Sequence, residues 1–136
     1  MKATDLMIGD KLMVKVLSQI PNTYVLHTWT ANDYSRDIQV KPIPLTAEIL
    51  KKNGFYDRNT QWYYKRFGSY VCFDIAISLV YREIEVSKVC GAGTDCEEEE
   101  YGSAIVFGND ICVHTLQHAL RLCGLDELAD NFKVYL

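Results

Sequence analysis

Residues 61–86 read QWYYKRFGSYVCFDIAISLVYREIEV, and their interpretation decides the fold. Aromatic and β-branched side chains crowd this stretch, which favours a pleated, half-buried surface over a helix. Gln61 to Phe67, Tyr70 to Ile75 and Ile77 to Val86 therefore read as strands, with Gly68-Ser69 as the hairpin turn between the first two. No segment long enough for a crossover helix separates them, so the pairing must be antiparallel. Downstream, the tract from Cys90 to Glu100 (CGAGTDCEEEE) reads as a loop, and Ala104 to Phe107 as a further strand of the sheet. Upstream, Lys11 to Leu17 alternates with Leu12, Val14 and Val16 on one face. Thr23 to Thr30 and Asp37 to Lys41 follow as strands, separated by the turn Ala31 to Ser35 and stopped by Pro42 and Pro44.

Two stretches carry helix signals instead. Thr46 is a good N-cap, Leu45 before it can staple onto Leu50, and Gly54 supplies the left-handed residue that ends a helix over Ala47 to Asn53. Phe55 can then fold back onto Leu50. The second helix runs from Val113 to Cys123 and ends at Gly124. Val113, Leu116, Ala119, Leu120 and Cys123 share its apolar face, while His114, Gln117, His118 and Arg121 share the opposite one. Asp126 caps a short helix to about Asn131, and Lys133 to Leu136 is read as a terminal strand. The sum is one α+β domain over residues 1–136. It has a mostly antiparallel sheet of about seven strands and two or three short helices, and its N-terminal strands form an SH3-like sheet or join the larger one.

Composition sets the class of protein. A chain of 136 residues with 49% hydrophobic and 24% charged side chains is an ordinary globular sequence. The net charge of −4 argues against a general nucleic-acid binder, which needs a cationic surface to displace counterions. That figure hides an asymmetry. Residues 1–88 hold 12 Lys/Arg against 9 Asp/Glu, a balance of +3, whereas residues 89–136 hold 2 against 9, a balance of −7. A local basic face is therefore compatible with the sequence. No apolar run reaches signal-peptide or membrane-span length, so the expected location is the cytoplasm. The five cysteines, an odd number without regular spacing, are expected to be mostly small buried hydrophobes in that compartment.

Few groupings point to chemistry. His114 and His118 stand one helical turn apart and could chelate a metal, but Thr115 occupies the place of a zincin's glutamate and no third ligand announces itself. The pair is read as lying on the solvated side of an amphipathic helix. Cys90 and Cys96 bracket a glycine loop without a second pair to make a zinc knuckle, and a disulfide between them is disfavoured in a reducing cytosol. Gly91-Ala92-Gly93 lacks the lysine and helix start of a phosphate loop. Glu97 to Glu100 lacks the spaced ligands of a calcium loop. Ser78 and Ser103 sit in no nucleophile motif. The most suggestive patch is Trp62, Tyr63, Tyr64, Lys65 and Arg66 with Arg58 nearby, since aromatics interleaved with cations can stack on bases and neutralise phosphates. Alternation puts Trp62 and Tyr64 on one face, and Tyr63 and Lys65 on the other, one of which should be core.

Three stretches together, MKATDLMIGD at 1–10, KPIPLTAEILKKNGF at 41–55 and VHTLQHALRLCGL at 113–125, resemble a family of small uncharacterised proteins of gut Bacteroidales, often encoded near prophage and mobile-element genes. The resemblance covers the two ends and the first helix, and the glycine–glutamate tract departs from the shorter connection the family leads one to expect. It implies a cytoplasmic accessory role in a bacterial or phage setting, without catalytic residues; no cofactor is expected. The expectation is therefore a non-catalytic protein that binds a protein partner. The alternative is a nucleic-acid-binding module using Arg58, Trp62, Tyr64, Lys65 and Arg66.

Overall fold

The computed structural model describes residues 5–16, 23–35, 38–59, 61–67, 71–90, 100–106 and 111–134. It is an α+β fold, mostly sheet, with two antiparallel sheets and three short helices. Strands β1 (Lys11–Val16), β2 (Val25–Thr28) and β3 (Ile38–Lys41) form a three-stranded sheet of order β2-β1-β3. They make a sheet of their own and do not extend the larger one. Leu12 and Val14 of β1 are buried with Leu6 and Trp29, and Ile38 and Val40 of β3 pack beside them. Alternation along β1 thus produces a small separate core.

The larger sheet is a five-stranded meander of β4 (Tyr56–Asn59), β5 (Trp62–Phe67), β6 (Val71–Ser78), β7 (Glu83–Cys90) and β8 (Glu100–Val106), in chain order. Ile75 faces Val86 and Ile77 faces Ile84 across β6 and β7, so these four side chains make one apolar face. Helices α1 (Ala47–Lys52) and α2 (Val113–Leu122) contribute Ile49, Leu50, Val113, Leu116 and Leu120 to the same core. The short α3 (Asp126–Asp130) adds Ala129, with Phe132 just beyond it.

Both ends of α1 and the C-terminal end of α2 follow their sequence signals, whereas Asp126, read as a cap, is the first residue of α3 and Leu125 precedes it as an N-cap without a side-chain hydrogen bond. Thr46 Oγ1 accepts the Ile49 N–H at 3.2 Å. After α1, Gly54 takes φ +86°, its N–H donates to Lys51 O and the Phe55 N–H donates to Leu50 O, which is a Schellman closure. The same pattern ends α2, where Gly124 (φ +79°) donates to Arg121 O and Leu125 donates to Leu120 O. Six residues cannot sustain an isolated helix, so α1 depends on its docking. A short bridge supplies part of that docking: Leu45 N–H donates to Ile111 O, and Val113 N–H to Ile43 O, around the pair Pro44 and Cys112.

Several boundaries differ from expectation. The stretch Ile77 to Val86 is not one strand, because β6 runs on to Ser78 and a turn follows at Leu79–Arg82. Ser78 Oγ accepts the Tyr81 N–H and Arg82 takes φ +57°, so an apolar run that reads as continuous strand is folded by a polar side chain and one left-handed residue. Tyr56–Asn59 is an additional strand, and Ala31–Ser35 is a 3-10 turn. Lys133 and Val134 lie outside any strand. The hairpin turn at Gly68-Ser69, and Gly91-Ala92-Gly93, Cys96 and Glu97 to Glu99, lie outside the described residues. Among the described residues, no helix is long and apolar enough to cross a membrane.

Candidate functional site

The polar side of α2 is largely withdrawn from solvent, contrary to the reading of a solvated face: His114 and Gln117 are buried, and His118 and Arg121 only partly exposed. It is pressed against the loop Met7–Lys11 and α3 and forms a buried joint. Asp10 is fully buried; its carboxylate accepts the Met7 N–H (2.8 Å), His118 Nε2 (2.6 Å) and Arg121 Nη1 (2.5 Å). Gln117, also fully buried, saturates its amide: Oε1 accepts the Lys11 N–H at 2.8 Å, and Nε2 donates to Gly9 O and Ala129 O. Gly9 adopts φ +94°, and a Cβ there would lie 2.7 Å from Asp130 Oδ1 and 2.8 Å from Arg121 Nη2. Thr115, in the place of a zincin's glutamate, accepts the Cys112 N–H and closes the first turn of α2.

Electrostatics follow from this packing. Burial alone would raise the Asp10 pKa, but the hydrogen bonds from His118, Met7 and Arg121 outweigh it and hold the carboxyl below its ordinary range. His114 is buried, and burial lowers its pKa; the nearby His118 works the same way, against Asp10 and Asp5. The rings of His114 and His118 meet edge to face at 5.6 Å between centroids. His118 is already directed at Asp10, and among the described residues no group of three or more His, Cys, Asp or Glu is placed to hold a metal. A second buried carboxylate, Asp33, organises the turn after β2. Burial pushes it up, but His27 Nε2 (2.7 Å) and the Thr30 N–H (2.7 Å) and hydroxyl (2.9 Å) bring it down to about 2.

The aromatic strand β5 is divided between the two faces of its sheet. Tyr63 packs against the core, and Lys65 lies on the same side, where its Nζ donates to Asn53 O at the end of α1. Burial lowers the Lys65 pKa. Trp62, Tyr64 and Arg66 therefore share the outer face by alternation. There Tyr64 meets Tyr56 of β4 at 6.3 Å between ring centroids, and Trp62 meets Tyr81 at 6.4 Å. Tyr56 is 54% exposed, Tyr81 53% and Val80 64%, so this is an open apolar and aromatic surface. Arg66 grips Asp74 through two hydrogen bonds of 2.6 and 2.7 Å. Glu83 and Glu85 of β7 stand opposite Ser78 and Ala76 on the same face. Arg58 lies in β4, with its side chain outside those described.

The structure thus brings Trp62, Tyr64 and Arg66 together, has Lys65 on the other face, and joins His118 and Arg121 to a group that the sequence reading did not single out, Asp10, with His114 packed on the His118 ring. One signal could have revealed that this face is buried. The polar side of α2 reads His, Gln, His, Arg without a single Lys or Glu, which is unusual for a solvated face. Compared with known protein families, curated proteins and solved structures, the chain matches none.

Proposed function

We propose that this chain is a non-catalytic accessory protein that docks a protein partner on the outer face of the five-stranded sheet. The observation that carries this reading is the aromatic cluster in which exposed Tyr56 and Tyr81 flank half-buried Tyr64 and Trp62, with exposed Val80 next to Tyr81 in the chain. Tyr, Trp and Arg are the side chains that dominate binding energy at protein interfaces. The charges around the cluster favour a protein over a nucleic-acid strand: Arg66 is engaged by Asp74, Glu83 and Glu85 lie alongside, and Lys65 points away. The proposed setting, the cytoplasm of a bacterium with a prophage or mobile element, is what the resemblance of the three sequence stretches to the Bacteroidales family implies.

The test is affinity capture from lysate of the native host, with and without nuclease, using the wild-type chain and Trp62→Ala. A partner that survives nuclease and binds Trp62→Ala about thirtyfold more weakly supports the reading. Recovery of oligonucleotides, with affinity falling steeply as salt rises and on changing Arg66 to Ala, replaces it with the nucleic-acid module. A partner unaffected by Trp62→Ala rejects the face.

A further inference from the structure

A second site lies on the opposite side of the same sheet, where α1, β5 and the segment after α3 meet. They enclose an open cleft of about 350 Å³, at the small end of the range for organic ligands. Phe55, Leu128 and Phe132 line its apolar part. Lys52, Lys65 and Lys133 line it as well, and no carboxylate stands among its described lining residues. Three of the ten lining residues are thus lysines, and the Lys65 ammonium is the one whose position is fixed.

The local backbone builds this arrangement. Gly54 ends α1 with φ +86°, and a Cβ on it would come within 3.0 Å of Lys65 Nζ and 3.2 Å of its Cε. Its bare backbone lets the Lys65 stem cross the turn. The ammonium is then held at Asn53 O and lies 5.9 Å from the centre of the Phe55 ring. Asn53 fixes the far wall, since its side-chain amide donates to Lys133 O at 2.7 Å and accepts the Lys133 N–H at 2.8 Å, as a neighbouring strand would. One cation is thereby positioned beside apolar surface, where a charge pair is stronger than in open water.

We propose that this cleft binds a small organic anion, with a single carboxylate or phosphate head at the lysines and an apolar body against Phe55, Leu128 and Phe132. The inference is independent of the partner-docking face, because Lys65 and Trp62 lie on opposite sides of β5.

Titration calorimetry with octanoate, octyl phosphate and octanol tests it. One molecule of an anion should bind per chain, and octanol about tenfold more weakly or not at all. A tighter complex with octyl phosphate than with octanoate assigns a phosphate head, and the reverse a carboxylate. Lys65→Met should weaken anion binding about fivefold and leave octanol unchanged. Should Lys65→Met fail to fold, the exposed Lys133→Met provides the same comparison. Trp62→Ala should leave anion binding intact. Equal binding of octanol and the anions, or anion affinity unchanged in the lysine variants, overturns the proposal, as does binding of none of the three.

Discussion

Asp10 is the residue on which the joint turns. Three donors converge on a carboxylate with no exposure to water, and Arg121, itself nearly buried, has its charge matched there. Asp10→Asn removes the charge and leaves the guanidinium only its longer, exposed contact to Asp130 at 3.3 Å, so unfolding in urea should show a loss of about 3 kcal/mol at unchanged slope. Gly9→Ala should cost more than about 1 kcal/mol, because φ +94° suits no L side chain and the new methyl group meets Arg121 and Asp130. The pH dependence has a defined sign. His114, facing Asp10 and His118 with Asp5 nearby, has its pKa lowered from 6.5, so the unfolded chain binds the proton more readily. Its contribution is whole above pH 6.5 and shrinks as pH falls from there toward its folded pKa. Asp10 and Asp33 are also lowered, from 3.8, and their contribution is present above that value and lost below it, toward about 2 for Asp33. Chemical denaturation across pH should therefore show two separate declines, and His114→Gln should abolish the upper one alone.

Elements were legible where the signal is local. Thr46, Leu50, Gly54 and Phe55 encode α1 within ten residues, and the structure has each of their hydrogen bonds. The α+β class followed from strands too close together for crossovers. The turn at Leu79–Arg82 was not legible, because an apolar run has no punctuation and Arg82 takes a conformation its side chain does not announce. The joint was hidden for another reason. Asp10 and His118 are 108 positions apart, and a polar helix face has the same periodicity whether it meets water or a buried loop. Contacts between distant stretches supply what periodicity missed: 5–10 and 113–125 meet at Asp10, while 41–55 meets the start of α2 at the Pro44–Cys112 bridge. Burying that face makes α2 dependent on its polar contacts. Gln117→Leu keeps the volume but orphans the Lys11 N–H and the carbonyls of Gly9 and Ala129, and should cost about 2–4 kcal/mol. Amide exchange should quicken at Lys11 and in α3 before it does in β6 and β7.

For the whole molecule, the joint links a small core to a large one. The N-terminal cluster of Leu6, Leu12, Val14 and Trp29 has four buried side chains, too few to hold three strands independently. The larger core has its own sheet and helices. Among the described residues, their connection includes Met13 of β1, whose side chain packs on the larger core, and the hydrogen bonds of Asp10 and Gln117. Cooperative unfolding of the whole chain therefore rests on a handful of polar contacts. The sequence provides its own reporters, because it contains two tryptophans, one on each side: Trp29 fully buried in the small core and Trp62 on the larger sheet. In Trp62→Phe and Trp29→Phe variants, each remaining indole should report the same urea midpoint while the joint is intact. Adding Gln117→Leu to both should separate them, with Trp29 becoming exposed first and Trp62 following near its original midpoint. Coincident midpoints after that change would mean that Met13 and the β1 backbone couple the two cores without the polar contacts.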